Sequence, residues 1–578
     1  MRTSILSASF LFAGLAASAL PATASSDSSL STRSSSSSSV STNTTDYSTK
    51  GASTDSLVSY PVTLGGLNLL AASAKEVADA LDEGKFTSVG LVEAYLARIA
   101  ANDKSGLELR SIIETAPRDN VLAIAQKLDD ERKAGKKRSA LHGIPIAVKD
   151  NYNTHPELGM NTTAGSYALL GQTTVGDAFV VEKLRDAGVI ILAKANLNEF
   201  AGEFGRTNSS GWSARGLQTS SAYVPGGFAA GGDPGGSSGG SAVSTSAGFV
   251  TFALGSDTEG SILDPSNKNG LYGFRPSTGL TSRTGVVPIS SSQDTTGPIG
   301  KSTWDLAAAL SIMAASSDPA DRLSAAADPF RESNYTKYLS PDGLKGLRIG
   351  VPRQTHWNET YTGLPDYLMK EMNATLDALR EAGATVIDPV LFDDAEQLRY
   401  TFPAGPLPVN SATRRILTDF KADMADYLST QLVNSTITSL FDIIRFNDLN
   451  ADLEFPPSLP DQLGQSTIVG AWAMQHPNES VEYWQAQYDL QRVYLEQILP
   501  AYDSYGLDLL VAPSEADPTR IGTIGMMPCG TVPVAQRPNG APYGLTFVGR
   551  RYAEGTVLRA MSGWEATQGA RPVPSTLD

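Results

Sequence analysis

Apolar positions recur in two alternating patterns from Leu69 onward, and the two patterns predict different elements. "SAKEVADALDEG" has a capping residue at Ser73 and a stop at Gly84, and "LVEAYLARIA" places its apolar residues on one helical face. Short apolar runs such as "GIPIAVKD" and "DLLVAP" are typical of buried strands. Because helices and strands alternate, the pattern predicts an α/β protein whose sheet is covered on both faces.

One helix–glycine–strand phrase occurs twice. "DAFVVEKLRDAGVIILAK" predicts a helix that stops at Gly188 before a strand over Val189–Ala193, and "LDALREAGATVIDPV" repeats the phrase with Gly383 as the stop. The run "SAVSTSAG" predicts a short helix, and "FVTFAL" predicts the strand after it. Near the end, Asn539-Gly540 predicts a turn between two strands, and a last helix is expected over residues 553–569.

The first residues are similar to a secretory signal. Arg2 is followed by the apolar stretch "ILSASFLFAGLAASAL" and the small-residue site "ATA", so residues 1–24 are expected to be a signal peptide. Residues 25–64 are rich in Ser and Thr and are expected to be disordered, because they have too few apolar groups to bury. The main domain is expected over residues 65–572, with residues 395–480 as a helical cover at one end of the sheet.

Charge and composition exclude some partners and fit others. The net charge of −16 argues against nucleic acid and against an anionic membrane surface. No segment after the signal reaches the roughly 18 apolar residues of a membrane anchor, and eight Asn-x-Ser/Thr sites fit an exported glycoprotein. Cys529 is the single cysteine, which predicts a buried structural thiol. No zinc-ligand spacing occurs, so neither a metal nor a cofactor is expected.

Two glycine-serine runs carry the candidate chemistry, "GGSSGGSAV" from Gly235 and "GSDTEGSI" from Gly255. Such runs form a phosphate nest, a nucleophile with oxyanion donors, or simple turns. A P-loop is excluded because no Lys follows the glycines, and none of the four histidines lies in a Ser-His-Asp signature. A serine nucleophile would then need Lys as its base, and Lys149 ends an apolar strand where desolvation lowers its pKa. Taken alone, Lys149 also fits a surface residue with a buried stem.

Read together, the motifs resemble the amidase signature family. "LHGIPIAVKDN", "TTAGS", "GGSSGGSAV", "GSDTEGSI", "GLYGFRPSTGLTSRTGVVPIS" and "SSQDTTGPIG" follow one another in the family's order, and "GAPYGLTFVGRRYAEGTVLRAM" resembles its closing segment. The likeness covers roughly residues 65 to 570. It implies the family's fold, a single large α/β/α domain around a mixed β-sheet.

The resemblance also implies a Ser-Ser-Lys triad and an acyl-enzyme. Ser261 would be the nucleophile, Ser237 would pass its proton, and Lys149 would be the base and then the acid that protonates the leaving amine. The peptide bond between Gly236 and Ser237 would be cis. The loop of Thr258, Glu259, Gly260 and Ser261 would supply backbone N–H donors to the oxyanion, Asp257 would brace this loop, and Gly236 and Ser238 would border the site.

Departures from the family pattern bear on the substrate. Most members have glycine where Glu259 stands, and many have Arg, which helps to hold anionic substrates, where Leu263 precedes Asp264. A secreted hydrolase of a neutral primary amide, such as a peptide C-terminal amide, is therefore expected, with a fatty-acid, N-acyl or aryl amide as the alternative. The subunit of tRNA amidotransferases that uses glutamine is disfavoured by the export signal and the missing Arg. The rival of another class is an amidase-like binding protein without catalysis.

Overall fold

The computed structural model describes residues 49–51, 59–205, 210–398, 410–455 and 464–577. The predicted signal peptide and most of the predicted Ser/Thr-rich segment lie outside these residues. Tyr60 and Leu64 are already buried in the core, and so is Leu577 at the other end. The packed part of the chain therefore extends a few residues beyond both predicted boundaries of the main domain.

A single mixed sheet of eleven strands organises the described part of the chain. Its spatial order is β8-β7-β9-β11-β10-β5-β6-β4-β2-β3-β1. In chain order the strands are β1 Ile112–Thr115, β2 Pro145–Lys149, β3 Ile190–Ala195, β4 Ala253–Asp257, β5 Tyr272–Arg275, β6 Thr295–Gly300, β7 Arg348–Gly350, β8 Thr385–Ile387, β9 Leu509–Pro513, β10 Cys529–Gln536 and β11 Pro542–Gly549.

Both parallel and antiparallel pairs occur in this sheet, as the family resemblance implies. Strand β2 runs parallel to β3 and to β4, whereas β4 is antiparallel to β6. In the register of β2 with β3, Lys149 pairs with Ala195. In the register of β4 with β6, Ser256 pairs with Thr296. The carboxyl ends of β2 and β4, which carry Lys149 and Asp257, consequently lie at the same edge of the sheet.

Helices cover both faces of the sheet. They are α1 Ala74–Asp82, α2 Ser88–Asn102, α3 Arg118–Lys133, α4 Phe179–Asp186, α5 Gly239–Ser246, α6 Leu263–Lys268, α7 Thr303–Met313, α8 Glu359–Thr362, α9 Asp366–Glu381, α10 Ser411–Thr430, α11 Leu440–Leu449, α12 Ala451–Glu454, α13 Ser466–Ala473, α14 Val481–Val493, α15 Leu499–Tyr505, α16 Thr519–Gly525 and α17 Glu554–Gln568. Helices α10 to α13 lie within the region predicted as a helical cover, and α14 begins just after it.

Most predicted elements are confirmed. Ser73 caps α1 in a capping box with Glu76. Gly188, between α4 and β3, and Gly383, between α9 and β8, adopt the positive φ expected of helix stops. The strand predicted from "FVTFAL" is wrong in its bounds, because residues 249–252 form a buried loop and β4 begins only at Ala253. That loop is apolar because the hydrophobic core surrounds it. Its apolar composition therefore indicates burial and does not distinguish a strand from a loop.

Helix α5 is anchored at its carboxyl end by a buried arginine. The guanidinium of Arg98, on α2, donates to the carbonyls of Ala247 and Gly248 just beyond α5, at 2.7 and 2.8 Å, and to Pro61 O at 2.8 Å. The last carbonyls of a helix lack partners within the helix, and a cation is favourable there. This contact fixes the helix that begins immediately after Ser237 and Ser238.

No helix among the described residues is both long and apolar enough to cross a membrane.

Candidate active site

Lys149 is the last residue of β2 and its side chain is completely buried. Its Nζ lies 2.7 Å from Ser237 Oγ and 2.9 Å from Ser256 Oγ. Burial lowers the pKa of Lys149 to about 7, although the carboxylates of Asp257 and Asp294 act in the opposite direction. The amine is therefore about half neutral near pH 7, the state in which it accepts a proton.

The first glycine-serine run brings Ser237 to this amine. The peptide bond between Gly236 and Ser237 is cis, as the resemblance implies. The N–H of Gly236 donates to Asp264 Oδ2 at 2.9 Å, which anchors the run from the outside. A Cβ on Gly240 would lie 2.4 Å from Asn196 N, so glycine is needed where the start of α5 approaches the end of β3.

Ser238 joins the two glycine-serine runs. Its N–H donates to Ser261 O at 3.2 Å, and its hydroxyl donates to Ser256 O at 3.2 Å. Ser261 is half-buried and follows the tight loop after β4. The structure thus brings Lys149, Ser237, Ser238 and Ser261 together at one edge of the sheet.

Asp257 braces the loop after β4, as predicted. Its carboxylate accepts hydrogen bonds from Gly260 N at 2.8 Å and Ile262 N at 2.7 Å, and it pairs with Arg275 Nε at 3.0 Å. Both side chains of this ion pair are fully buried. The loop is consequently fixed from within by one carboxylate that is itself neutralised by a buried cation.

This bracing changes which N–H groups can act on an oxyanion. The N–H of Gly260 was a predicted donor, but it already donates to Asp257. The N–H groups of Thr258, Glu259 and Ser261, which were also predicted donors, have no acceptor within the described part of the chain. These three groups, on both sides of Gly260, remain available to an anionic ligand.

The side chains of Thr258 and Glu259 point into polar networks. Thr258 Oγ1 donates to Asp294 Oδ1 at 2.6 Å. Glu259 Oε1 accepts from Gln293 Nε2 at 3.0 Å, and Gln293 Oε1 accepts from Arg415 Nε, on α10, at 2.9 Å. Glu259 therefore belongs to a hydrogen-bonded chain that runs from the loop to the helical cover.

Carboxyl groups around this loop are held partly in their neutral form. Burial raises the pKa of Glu259, despite the hydrogen bond from Gln293. Burial, and then the charges of Glu259 and Asp294, raise the pKa of Glu203 to about 8. Burial also raises the pKa of Asp517 to about 7. Arg520, whose Nε lies 2.6 Å from Asp517 Oδ2, acts against the shift at Asp517, so burial has its clearest effect at Glu203.

Leu263 and Asp264 contact residues within and beside the two glycine-serine runs. Leu263 is 2% exposed and packs in an apolar cluster with Ile262 and Leu271. Asp264 accepts from Gly236 N and pairs with Lys268 Nζ at 3.3 Å. Both residues therefore support the two glycine-serine runs.

A cavity of about 400 Å³ lies beside Ser256 and Thr258. Its walls come from the end of β4, from the segment between β5 and β6, and from α10, and they include Asn151, Val287, Ile289, Asp294 and Tyr427. This volume accommodates a small organic group next to the loop that carries Ser261.

Several residues of the site were missed by the sequence reasoning, namely Asn151, Ser256, Arg275, Gln293 and Asp294. Each lies inside a motif that was recognised, such as "VKDN", "GSDTEGS" or "SSQDTT". Membership of these motifs was the one sequence signal for a role in the site. The hydrogen-bond partners of these residues lie far away in the chain, so the sequence does not reveal the contacts. The predicted buried thiol is confirmed, since Cys529 is buried on β10 and burial raises its pKa to about 12.

Comparisons with known proteins agree with this geometry. The amidase family model matches residues 90–558. A probable amidase of Arabidopsis thaliana is 34% identical over 87% of this chain and 91% of its own length. A glutamyl-tRNA(Gln) amidotransferase subunit from Anaeromyxobacter sp. (strain K) is 33% identical over 84% of this chain and 94% of its own.

Among solved structures, the native peptide amidase from Stenotrophomonas maltophilia superposes with a TM-score of 0.77 and 35% identity, over 87% of this chain and 98% of its own. The family match and the structural neighbours identify an amide hydrolase, with a mixed sheet flanked by helices, that acts on carboxamide C–N bonds. The chain belongs to the amidase family, the amidase signature enzymes.

Proposed function

We propose that this amidase hydrolyses a neutral primary carboxamide, such as a peptide C-terminal amide, through an acyl-enzyme on Ser261. The observation that carries the proposal is the buried amine of Lys149, 2.7 Å from Ser237 Oγ and with a pKa lowered to about 7. A neutral lysine in contact with a serine is a general base for that hydroxyl.

The reaction proceeds in two halves. Lys149 accepts the proton of Ser237 while Ser237 takes that of Ser261, and Ser261 Oγ attacks the amide carbon. The N–H groups of Glu259 and Ser261 stabilise the oxyanion of the tetrahedral intermediate. The proton then returns through Ser237 to the amide nitrogen as the C–N bond breaks, and the nitrogen leaves as ammonia. Water attacks the ester in the same way, and its hydroxyl forms the carboxylic acid as Ser261 recovers its proton.

Two observations support a neutral substrate. The position where many relatives carry Arg is occupied by Leu263, which is buried in apolar packing and offers no cation to an anionic group. The similar structure is named a peptide amidase. A panel of peptide amides, fatty amides and aryl anilides would rank the alternatives by kcat/KM, and a dominant fatty amide would overturn the peptide assignment.

Single substitutions test the triad. We expect Lys149→Ala and Ser261→Ala each to lower kcat by at least about 10⁴-fold without unfolding the protein, because each removes one member of a unit that acts together. Ser246→Ala is a matched control, since the Ser246 hydroxyl donates to Val243 O within α5. Near-normal turnover by either triad variant would refute the assignment.

A fluorophosphonate probe separates an enzyme from a silent binding protein. We expect it to label Ser261 in the wild type and not in Ser261→Ala. An unlabelled but folded wild-type protein would favour the binding-protein alternative.

We also propose that the protein is exported and glycosylated. The signal-like residues 1–24 motivate the proposal, and the described part of the chain presents exposed acceptor sites at Asn334, Asn434 and Asn478.

A further inference from the structure

Ser256 makes two contacts with the candidate base. Lys149 Nζ lies 2.9 Å from Ser256 Oγ and 3.3 Å from Ser256 O, in addition to its contact with Ser237 Oγ. One residue of β4 therefore offers Lys149 both a side-chain acceptor and a backbone acceptor. The two residues are 107 positions apart in the chain, so only the parallel pairing of β2 and β4 brings them together.

The bonding of a neutral amine explains why two acceptors on Ser256 matter. A neutral lysine has two N–H bonds and one lone pair, and as a base it must turn the lone pair toward the hydroxyl whose proton it takes. Both N–H bonds then need acceptors elsewhere, because an unpaired buried donor is costly. We propose that Ser256 is a positioning residue that holds both N–H bonds of Lys149 and so directs its lone pair at Ser237. This inference rests on the proposed function.

Ser256 is itself fixed from the other side. Its Oγ also lies 2.9 Å from Asn151 Nδ2, and its carbonyl also accepts the hydroxyl of Ser238 at 3.2 Å. Ser256 is 9% exposed, and its register with Thr296 sets the height of its side chain above the sheet. Because Asn151 and Ser238 hold Ser256 in place, Ser256 cannot move with the amine of Lys149 if the amine rotates. Ser256 therefore fixes the orientation of that amine.

The dependence of kcat on pH distinguishes a residue that orients the amine of Lys149 from one that only stabilises the fold. The charged groups that act on Lys149 are Asp257 on β4 and Asp294 before β6, and both favour the ammonium form. The Ser256 hydroxyl also favours that form as an acceptor, so its removal lowers the pKa of Lys149. The variant should then have more neutral amine at any pH near neutrality and yet turn over more slowly, because the amine is misdirected.

The experiment compares Ser256→Ala, Ser256→Thr and wild type on one primary amide from pH 5 to 9. For Ser256→Ala we expect the plateau of kcat to fall about 10- to 100-fold, KM to change less than about threefold, and the acidic limb to move to lower pH. Ser256→Thr keeps the hydroxyl and should recover kcat to within a few-fold. The second-order rate of fluorophosphonate labelling should follow the same order.

Controls keep this inference separate from the proposed function. Ser246→Ala, a buried serine outside the site, should match wild type, and thermal unfolding of each variant reports whether it is folded. If wild type hydrolyses amides, Lys149→Ala does not, and folded Ser256→Ala keeps the wild-type plateau, the positioning role is wrong while the triad stands. The positioning role is equally wrong if Ser256→Thr is no better than Ser256→Ala. If wild type neither hydrolyses amides nor reacts with the probe, the proposed function fails first.

Discussion

A completely buried lysine has to lose its proton inside the protein before it can accept one from a neighbouring serine. The environment of Lys149 accomplishes this through desolvation, which outweighs two nearby carboxylates. The resulting pKa of about 7 places the amine in the range where small pH changes alter its charge.

The pH dependence of the reaction follows from this value. In the proposed mechanism the neutral form of Lys149 is the base, and the neutral fraction falls about tenfold for each pH unit below the pKa. We therefore expect kcat/KM to rise about tenfold per unit up to roughly pH 7 and to level off above it. The measurement is hydrolysis of a primary amide between pH 5 and 9 at constant ionic strength. A flat profile over that range would contradict a lysine base with this pKa.

At the scale of elements, a buried ion pair braces the loop between β4 and α6 from within. Asp257 accepts the N–H groups of Gly260 and Ile262, and Arg275 on β5 compensates its charge. A short loop with unpaired N–H groups cannot be stabilised by the regular backbone hydrogen bonds of a helix or a strand. It is instead held by a side chain at its base.

Asp257→Asn tests this dependence. The change leaves Arg275 as an uncompensated buried cation, so the free energy of unfolding should fall by about 3–5 kcal/mol, measured by urea denaturation. Activity should fall too, because the N–H groups of the loop lose their alignment. The matched control is Asp503→Asn, which removes an exposed pair with Arg550 and should change the unfolding free energy by no more than about 1 kcal/mol. Equal effects of the two substitutions would show that Asp257 has no special bracing role.

Over the whole molecule, the sheet collects residues from distant parts of the chain at one edge. Much of this arrangement was predictable: the ends of α1 and α4 from their caps and stops, and Lys149 at the end of a strand from its apolar run. The start of β4 was not, because Phe249 and Phe252 are buried on all sides and show no period of two. The contact between Lys149 and Ser256 was not either, since it depends on the pairing of strands separated by about a hundred residues.

Export is the prediction that belongs to the whole molecule. Expressed in a secreting eukaryotic host, the protein should reach the medium with an amino terminus near residue 25, as read by terminal sequencing. Removal of N-linked glycans should lower its mass, with Asn334, Asn434 and Asn478 among the modified sites. A variant that lacks residues 1–24 should remain in the cell, and an unprocessed protein retained in the cell in full-length form would contradict the proposal.

The chain of hydrogen bonds from Arg415 through Gln293 to Glu259 links the helical cover to the loop that carries Ser261, the proposed nucleophile. Anyone who grafts the cover helices of another amidase onto this scaffold, in order to change its selectivity, would also remove a support of the catalytic loop. A successful chimera would have to import residues 293 and 415 as a matched set. When the whole chain is mutated, changes in the cover helices should accordingly be accompanied by second-site changes at position 259.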